Sequence, residues 1–116
     1  MGEVTFLEAL RQGLTEEMDR DERVFLLGED IGAYGGAFKV TDGFQKKYGP
    51  ARVIDTPISE AAIVGAAAGA AHMGMRPVAE MQFIDFISCA YDMLTNYVAT
   101  ARYRAGLATP LVVRGP

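Results

Sequence analysis

The chain has one cysteine, Cys89, among its 116 residues. A lone cysteine excludes a disulfide framework and any cysteine-based metal site, and it fits a reducing, cytosol-like compartment. There is no excess of basic residues. The net charge is −4, the pI is about 4.9, and Lys and Arg are scattered. That argues against a nucleic-acid partner, because phosphate binding needs a basic face. Long apolar runs are also missing. The longest, Ala61–Met75, falls short of the roughly 20 residues a bilayer-spanning helix needs, so no membrane role is expected. The first residues carry no basic and apolar leader. Neither the P-loop spacing nor GxGxxG occurs, although Gly32, Gly35 and Gly36 mark a tight loop. Internal repeats, low-complexity tracts and interdomain linkers are absent. The expected compartment is the cytoplasm of a bacterial-type cell, with the mitochondrial matrix as the alternative.

The stretch Asp55–Gly69 organises what is present. Pro57 pushes the residue before it to extended geometry. Ser59 suits an N-cap, which puts Glu60 in the first turn of a helix whose only polar side chain up to Met75 is His72. Such a helix is expected to be buried on nearly all sides, with a half or wholly buried carboxylate at its mouth. From position alone, Glu60 is equally a helix-dipole glutamate. The Gly65-Ala66-Ala67-Ala68-Gly69 spacing predicts close packing against another helix, in the core or at a subunit interface.

The remaining elements follow the chain. Thr5 to Asp19 reads as a helix with a Thr5/Glu8 capping box, an apolar stripe of Phe6, Leu7, Leu10, Leu14 and Met18, and a purely docking role. Val24–Gly28 is a short apolar run suited to a buried parallel strand. Glu29 and Asp30 follow at its carboxyl end, where ligands sit in open α/β sheets; two solvated loop acids fit that position as well. A short helix spans roughly Thr41 to Tyr48, and a strand covers Arg52–Asp55. After Gly74 ends the central helix, Arg76–Phe83 reads as a third strand. Glu80 and Gln82 share one of its faces, either paired internally or facing a site. Asp85 to Tyr103 predicts one long amphipathic helix with Phe86, Ala90, Met93, Leu94, Tyr97, Val98 and Ala101 on its apolar face. Pro110–Arg114 is the fourth strand. Alternating strands and helices predict an α/β fold, a parallel sheet flanked by helices. The last strand has no helix after it, so residues 1–116 are expected to be the N-terminal part of a longer, here incomplete, domain.

Four segments carry a family resemblance: Leu26–Gly32, Asp55–Glu60, Gly74–Phe83 and Arg102-Tyr103-Arg104. In this order they resemble the beta subunit of the thiamine-diphosphate-dependent 2-oxo acid dehydrogenases, the decarboxylating components of the pyruvate and branched-chain 2-oxo acid complexes. The resemblance covers essentially the whole chain. It implies a pyrimidine-binding, transketolase-like domain that takes part in oxidative decarboxylation of a 2-oxo acid, with acyl transfer to a lipoyl group. It also implies thiamine diphosphate as cofactor, in a site shared with an alpha subunit that holds the diphosphate and its magnesium.

The residue roles come from the same resemblance. Glu60 matches the catalytic glutamate that bonds the ring nitrogen of the aminopyrimidine. Glu29 matches an acid near the pyrimidine end, on a proton path between paired sites. Ile58 and Ser59 approach the pyrimidine, Gln82 lines the thiazolium side, and Phe86 packs on the pyrimidine face. The carbonyl of Leu111 matches a potassium ligand. The partners implied are the alpha subunit, a second beta subunit in an alpha2-beta2 heterotetramer, and the lipoyl-bearing acyltransferase core. His72 does not match the family's catalytic histidine. Two other readings use the same fold: a transketolase-like enzyme acting on sugars, and a catalytically silent assembly module. Intact Glu60, Gln82 and Phe86 weigh against the silent module.

Overall fold

A computed structural model describes residues 2–116. The chain runs α1 (Phe6–Arg20), β1 (Val24–Gly28), α2 (Phe44–Tyr48), β2 (Val53–Asp55), α3 (Glu60–His72) and β3 (Arg76–Glu80). After an irregular helical stretch come α4 (Ala101–Ala105) and β4 (Val112–Arg114). The four strands form one parallel sheet in the order β2-β1-β3-β4, as the alternating pattern predicts.

The period of two along β1 sorts the core into two layers. Phe25 and Leu27 pack with Ile63, Val64 and Ala67 of α3, and with Ala79, Met81 and Ala90. Val24 and Leu26 pack on the other face with Met18 of α1, Phe44 of α2 and Val53 of β2. Helices therefore cover both faces. The capping box forms as expected: the Glu8 amide donates to Thr5 Oγ1 at 3.2 Å, and the Thr5 amide donates to Glu8 Oε2 at 2.8 Å.

Several expectations need correction. The α3 helix buries only the Ile63, Val64, Ala67, Ala68 and Ala71 face; Ala61, Ala62, Ala66 and Gly69 are exposed. Alanine and glycine make the helix apolar all round without giving it enough neighbours to bury every side. Gly65 packs within the chain, where an added Cβ would stand 3.1 Å from Met93 Cε, whereas a Cβ at Gly69 would meet nothing.

The predicted long helix is broken into a 3₁₀ stretch (Ile84–Ala90) and a π stretch (Met93–Val98) before α4. Its threonines explain part of this. Thr95 Oγ1 donates to the Tyr91 carbonyl and Thr100 Oγ1 to the Asn96 carbonyl, both at 2.7 Å. Hydroxyls that bond back to the preceding turn loosen the regular ladder, and the Ala99 amide reaches the carbonyl of Leu94, five residues back. The third strand ends at Glu80, so Gln82 lies beyond it.

At the carboxyl ends of the strands, register aligns Asp55, Gly28, Glu80 and Arg114 in one transverse row. Gly28 is required there, because a Cβ would stand 2.8 Å from the Glu80 carbonyl oxygen and 2.9 Å from its Cβ.

Candidate functional site

Glu29 follows β1 directly and is buried, 5% exposed. Burial holds its carboxyl above the ordinary glutamate range; the charges of Glu60 and then Asp30 add to the rise. The two loop acids therefore differ. Glu29 is buried, whereas Asp30 is exposed in a left-handed conformation (φ +55°). Gln82 Nε2 donates to Asp30 Oδ2 at 3.3 Å.

Glu60 is the first residue of α3 and is half-buried. The helix places it there because Pro57 keeps Thr56 extended. The Thr56 amide continues the sheet by donating to the Gly28 carbonyl at 3.0 Å. Ser59 occupies the N-cap position, but its side chain makes no capping bond; only its carbonyl joins the helix, accepting from the Ile63 amide at 2.9 Å. The expected hydroxyl cap is thus absent: the exposed side chain is not turned onto the first-turn amides. Ile58 is 82% exposed.

Beside the helix mouth, Leu27, Thr56, Pro57, Ser59, Ala62, Ile63 and Ala66 line a cleft of about 210 Å³. Thr56 Oγ1 in this cleft is buried without a hydrogen-bond partner. Buried hydroxyls are normally satisfied, so an unpaired one at the helix mouth stands out. A larger cleft, about 430 Å³, is lined by Asp21, Val24, Arg76 and Pro110. It opens at the amino ends of the strands, opposite the ends where ligands bind in such sheets.

Phe86 lies in the 3₁₀ stretch and is 46% exposed, with an edge-to-face contact to Phe83. The structure thus places Glu29, Ile58, Ser59, Glu60, Gln82 and Phe86 on segments that leave the carboxyl ends of β1, β2 and β3. Of these, Gln82 is tied to Asp30, the acid beside Glu29. Leu111 stands apart. It precedes β4, its amide bonds the Thr109 carbonyl, and its side chain joins the α3-side core.

Two supporting groups escaped the sequence reading. Asp55 Oδ1 accepts from the Gly32 amide at 2.6 Å, which ties the glycine loop to β2. Arg11 of α1 donates to the carbonyls of Lys39, Val40 and Asp42 at 2.8–2.9 Å, so α1 does more than dock. The Asp55 role had a signal, an acid ending a strand opposite a glycine loop. Arg11 had none, because its partners are main-chain carbonyls.

Comparison with known proteins fits this geometry. Residues 2–115 match the transketolase pyrimidine-binding domain. The chain belongs to that family. This pyrimidine-binding domain is 48% identical to a pyruvate dehydrogenase E1 component subunit beta from Staurastrum punctulatum, covering 100% of the chain and 36% of that protein. It is equally similar, 48% with the same coverage, to the 2-oxoisovalerate dehydrogenase subunit beta of Bacillus subtilis. The mitochondrial pyruvate dehydrogenase E1 subunit beta of Bos taurus is also 48% identical, over 98% of the chain and 32% of that protein. The chain therefore spans about a third of the length of these relatives. Among solved structures, a split-gene transketolase described as an inactive beta4 tetramer superposes with a TM-score of 0.64 at 26% identity. That superposition covers 84% of this chain and 31% of the other. Among the described residues, no helix is long and apolar enough to cross a membrane.

Proposed function

We propose that this domain supplies the pyrimidine half of a thiamine diphosphate site in the beta subunit of a 2-oxo acid dehydrogenase. The substrate is pyruvate or a branched-chain 2-oxo acid, and the acyl group passes to a lipoyl group. The observation that carries the proposal is the placement of buried Glu29 at the carboxyl end of β1 and of Glu60, half-buried, at the mouth of α3 after β2, with the unpaired Thr56 hydroxyl at the cleft beside it. Burial keeps the Glu29 carboxyl above the ordinary glutamate range, which suits a group that holds a proton near the site.

The residues present fit the cofactor. Glu60 offers a carboxyl group at an apolar helix mouth, the orphaned Thr56 hydroxyl offers a polar contact in the adjoining cleft, and Phe86 offers a half-exposed ring. When bound, thiamine diphosphate supplies an acidic thiazolium carbon and an aminopyrimidine that relays its proton. Glu60 is the carboxyl that shares a proton with the pyrimidine ring nitrogen, as a positioned acid–base group. Glu29 keeps its own proton to higher pH than a free glutamate, so it serves as a nearby proton reserve. Ile58 and Ser59 shape the approach to the ring, and Gln82, braced by Asp30, lines the thiazolium side. The Leu111 carbonyl, apart from the other site residues, would supply one ligand to a potassium ion and could not hold that ion without further ligands.

The alpha subunit holds the diphosphate and magnesium. A second beta subunit completes the alpha2-beta2 heterotetramer, which docks on the lipoyl-bearing acyltransferase core in the bacterial cytoplasm or the mitochondrial matrix.

Glu60→Gln in the full-length protein assembled with its alpha partner tests the role of Glu60. Proton exchange at the thiazolium carbon, at saturating cofactor, should fall by about 10²–10⁴-fold with cofactor binding largely kept. Wild-type exchange would reduce Glu60 to a helix-start residue. The split-gene transketolase neighbour supports a second reading, a transketolase-like component acting on sugars. Turnover of a ketose and not of a 2-oxo acid by the same assembly would favour it.

A further inference from the structure

Three phenylalanines form an exposed ridge at the carboxyl end of the sheet. Phe38 contacts Phe83 edge-to-face, with centroids 5.8 Å apart and planes at 79°; Phe83 contacts Phe86 in the same way at 6.3 Å and 77°. The rings are 49%, 41% and 46% exposed, respectively. Scattered exposed apolar side chains are ordinary, but these three touch one another in a row.

We propose that Phe38 and Phe83 are positioning residues that set the orientation of the Phe86 ring against the cofactor. The inference rests on the reading of Phe86 as the ring that faces the pyrimidine. Phe86 sits in a 3₁₀ stretch, where its amide is held by the Phe83 carbonyl at 3.1 Å. The hydrogen-bond geometry of such a stretch is poorer than that of an α-helix, so side-chain contacts must fix the ring. Edge-to-face contact is directional, because the positive edge of one ring seeks the negative face of the next.

Phe38 can act as the fixed end of the chain of rings because its loop is clamped. Arg11 binds the carbonyls of Lys39 and Val40 directly after it, and that of Asp42. The turn that contains it is closed by the Lys39 amide on the Gly36 carbonyl, and the Gly36 amide bonds the Asp30 carbonyl. The bracing thus runs from α1 through the glycine loop and two rings to Phe86.

The test uses the full-length protein assembled with its alpha partner, with thiamine diphosphate binding followed by near-ultraviolet circular dichroism. Phe38→Leu should weaken binding by about 2–10-fold, the worth of one aromatic pair. Phe38→Tyr, which keeps the ring, should restore it. In a Phe86→Leu background, Phe38→Leu should add nothing, since its effect passes through Phe86. Unchanged binding in Phe38→Leu, beside weakened binding in Phe86→Leu, would overturn the inference and leave the proposed function standing. Equal weakening in both backgrounds would overturn it too, by making Phe38 independent of Phe86. Wild-type binding in Phe86→Leu would remove the underlying reading of Phe86 and this inference together. Loss of assembly in Phe38→Leu would assign the ridge to a subunit contact instead.

Discussion

Removing the Arg114 guanidinium should cost the fold a large share of its stability, and the cost should depend on pH. Arg114 of β4 pairs with Glu80 of β3 in the transverse row, with side chains 15% and 8% exposed. Burial raises the Glu80 carboxyl above its ordinary range, and the charge and hydrogen bond of Arg114 pull it part of the way back. Arg114→Met keeps most of the side-chain length and deletes the charge, which leaves a buried carboxylate without a partner. Breaking a buried pair in this way typically costs about 3–5 kcal/mol, out of roughly 5–15 kcal/mol for a whole domain. With a urea slope of about 2 kcal/mol/M, the unfolding midpoint falls by about 1.5–2.5 M.

The direction with pH follows from linkage. A carboxyl raised in the folded state binds its proton more tightly there, so its contribution is most favourable below the unfolded pKa. It is lost as pH rises toward the folded one. Without Arg114 only desolvation acts on Glu80, so its carboxyl rises further and that window extends upward. The deficit of Arg114→Met should therefore be larger at about pH 8 than at about pH 5. Adding Glu80→Gln should recover most of it, since the buried charge is gone. Urea melts of the three proteins at both pH values decide the matter. A deficit equal at both, or one within the 1 kcal/mol or so of an exposed pair, would refute the reasoning.

Arg11→Ala should release the glycine loop. Hydrogen exchange at the Lys39 and Thr41 amides, now bonded to the Gly36 and Gly35 carbonyls, should accelerate, with about 1.5–3 kcal/mol lost overall; unchanged exchange would deny the clamp. A Cβ at Gly69 meets no atom within 4 Å, so Gly69→Leu should not lower the melting temperature of the folded unit, while it should lower the proposed alpha2-beta2 assembly in sedimentation. Gly65→Leu runs into Met93 and should cost about 1–3 kcal/mol through overpacking. Normal assembly of Gly69→Leu would remove that face of α3 from any interface.

What the sequence disclosed, and what it hid, divides along physical lines. The short continuous run Val24–Gly28 and the Pro57-Ser59-Glu60 punctuation depend on local chemistry, so β1 and the start of α3 were legible. So was the Thr5/Glu8 capping box, which is closed by neighbours three residues apart. The break in the predicted long helix was not. Its apolar spacing is helical, but Thr95 and Thr100 spend their hydroxyls on the preceding turn, and the Ile84 amide is drawn to the Pro116 carbonyl. The exposure of one side of α3 was hidden because an alanine-rich helix looks the same whether or not neighbours cover it. Glu80 was left between internal pairing and a site, and its partner Arg114 settles the matter for pairing.

The positions of those acids follow one rule, the alternation of side chains along a strand. At the carboxyl ends of β2, β1 and β3, the row Asp55, Gly28 and Glu80 is succeeded by Thr56, Glu29 and Met81. The first row lies in step with Val53, Leu26 and Val78, which face α1 and α2, and it does structural work. Asp55 ties down the Gly32 amide, and Glu80, joined to Arg114, lies beside Gly36. The second row turns toward α3. Met81 joins the α3-side core, Thr56 lines the cleft beside that helix with its hydroxyl unpaired, and the proton affinity of Glu29 feels Glu60. A single step along each strand thus separates the residues that brace the glycine loop from those that turn toward α3. A one-residue shift of register would exchange the two sets. The close contact of Gly28 with Glu80 and the Glu80–Arg114 pair to the next strand both hold the register at that end of the sheet.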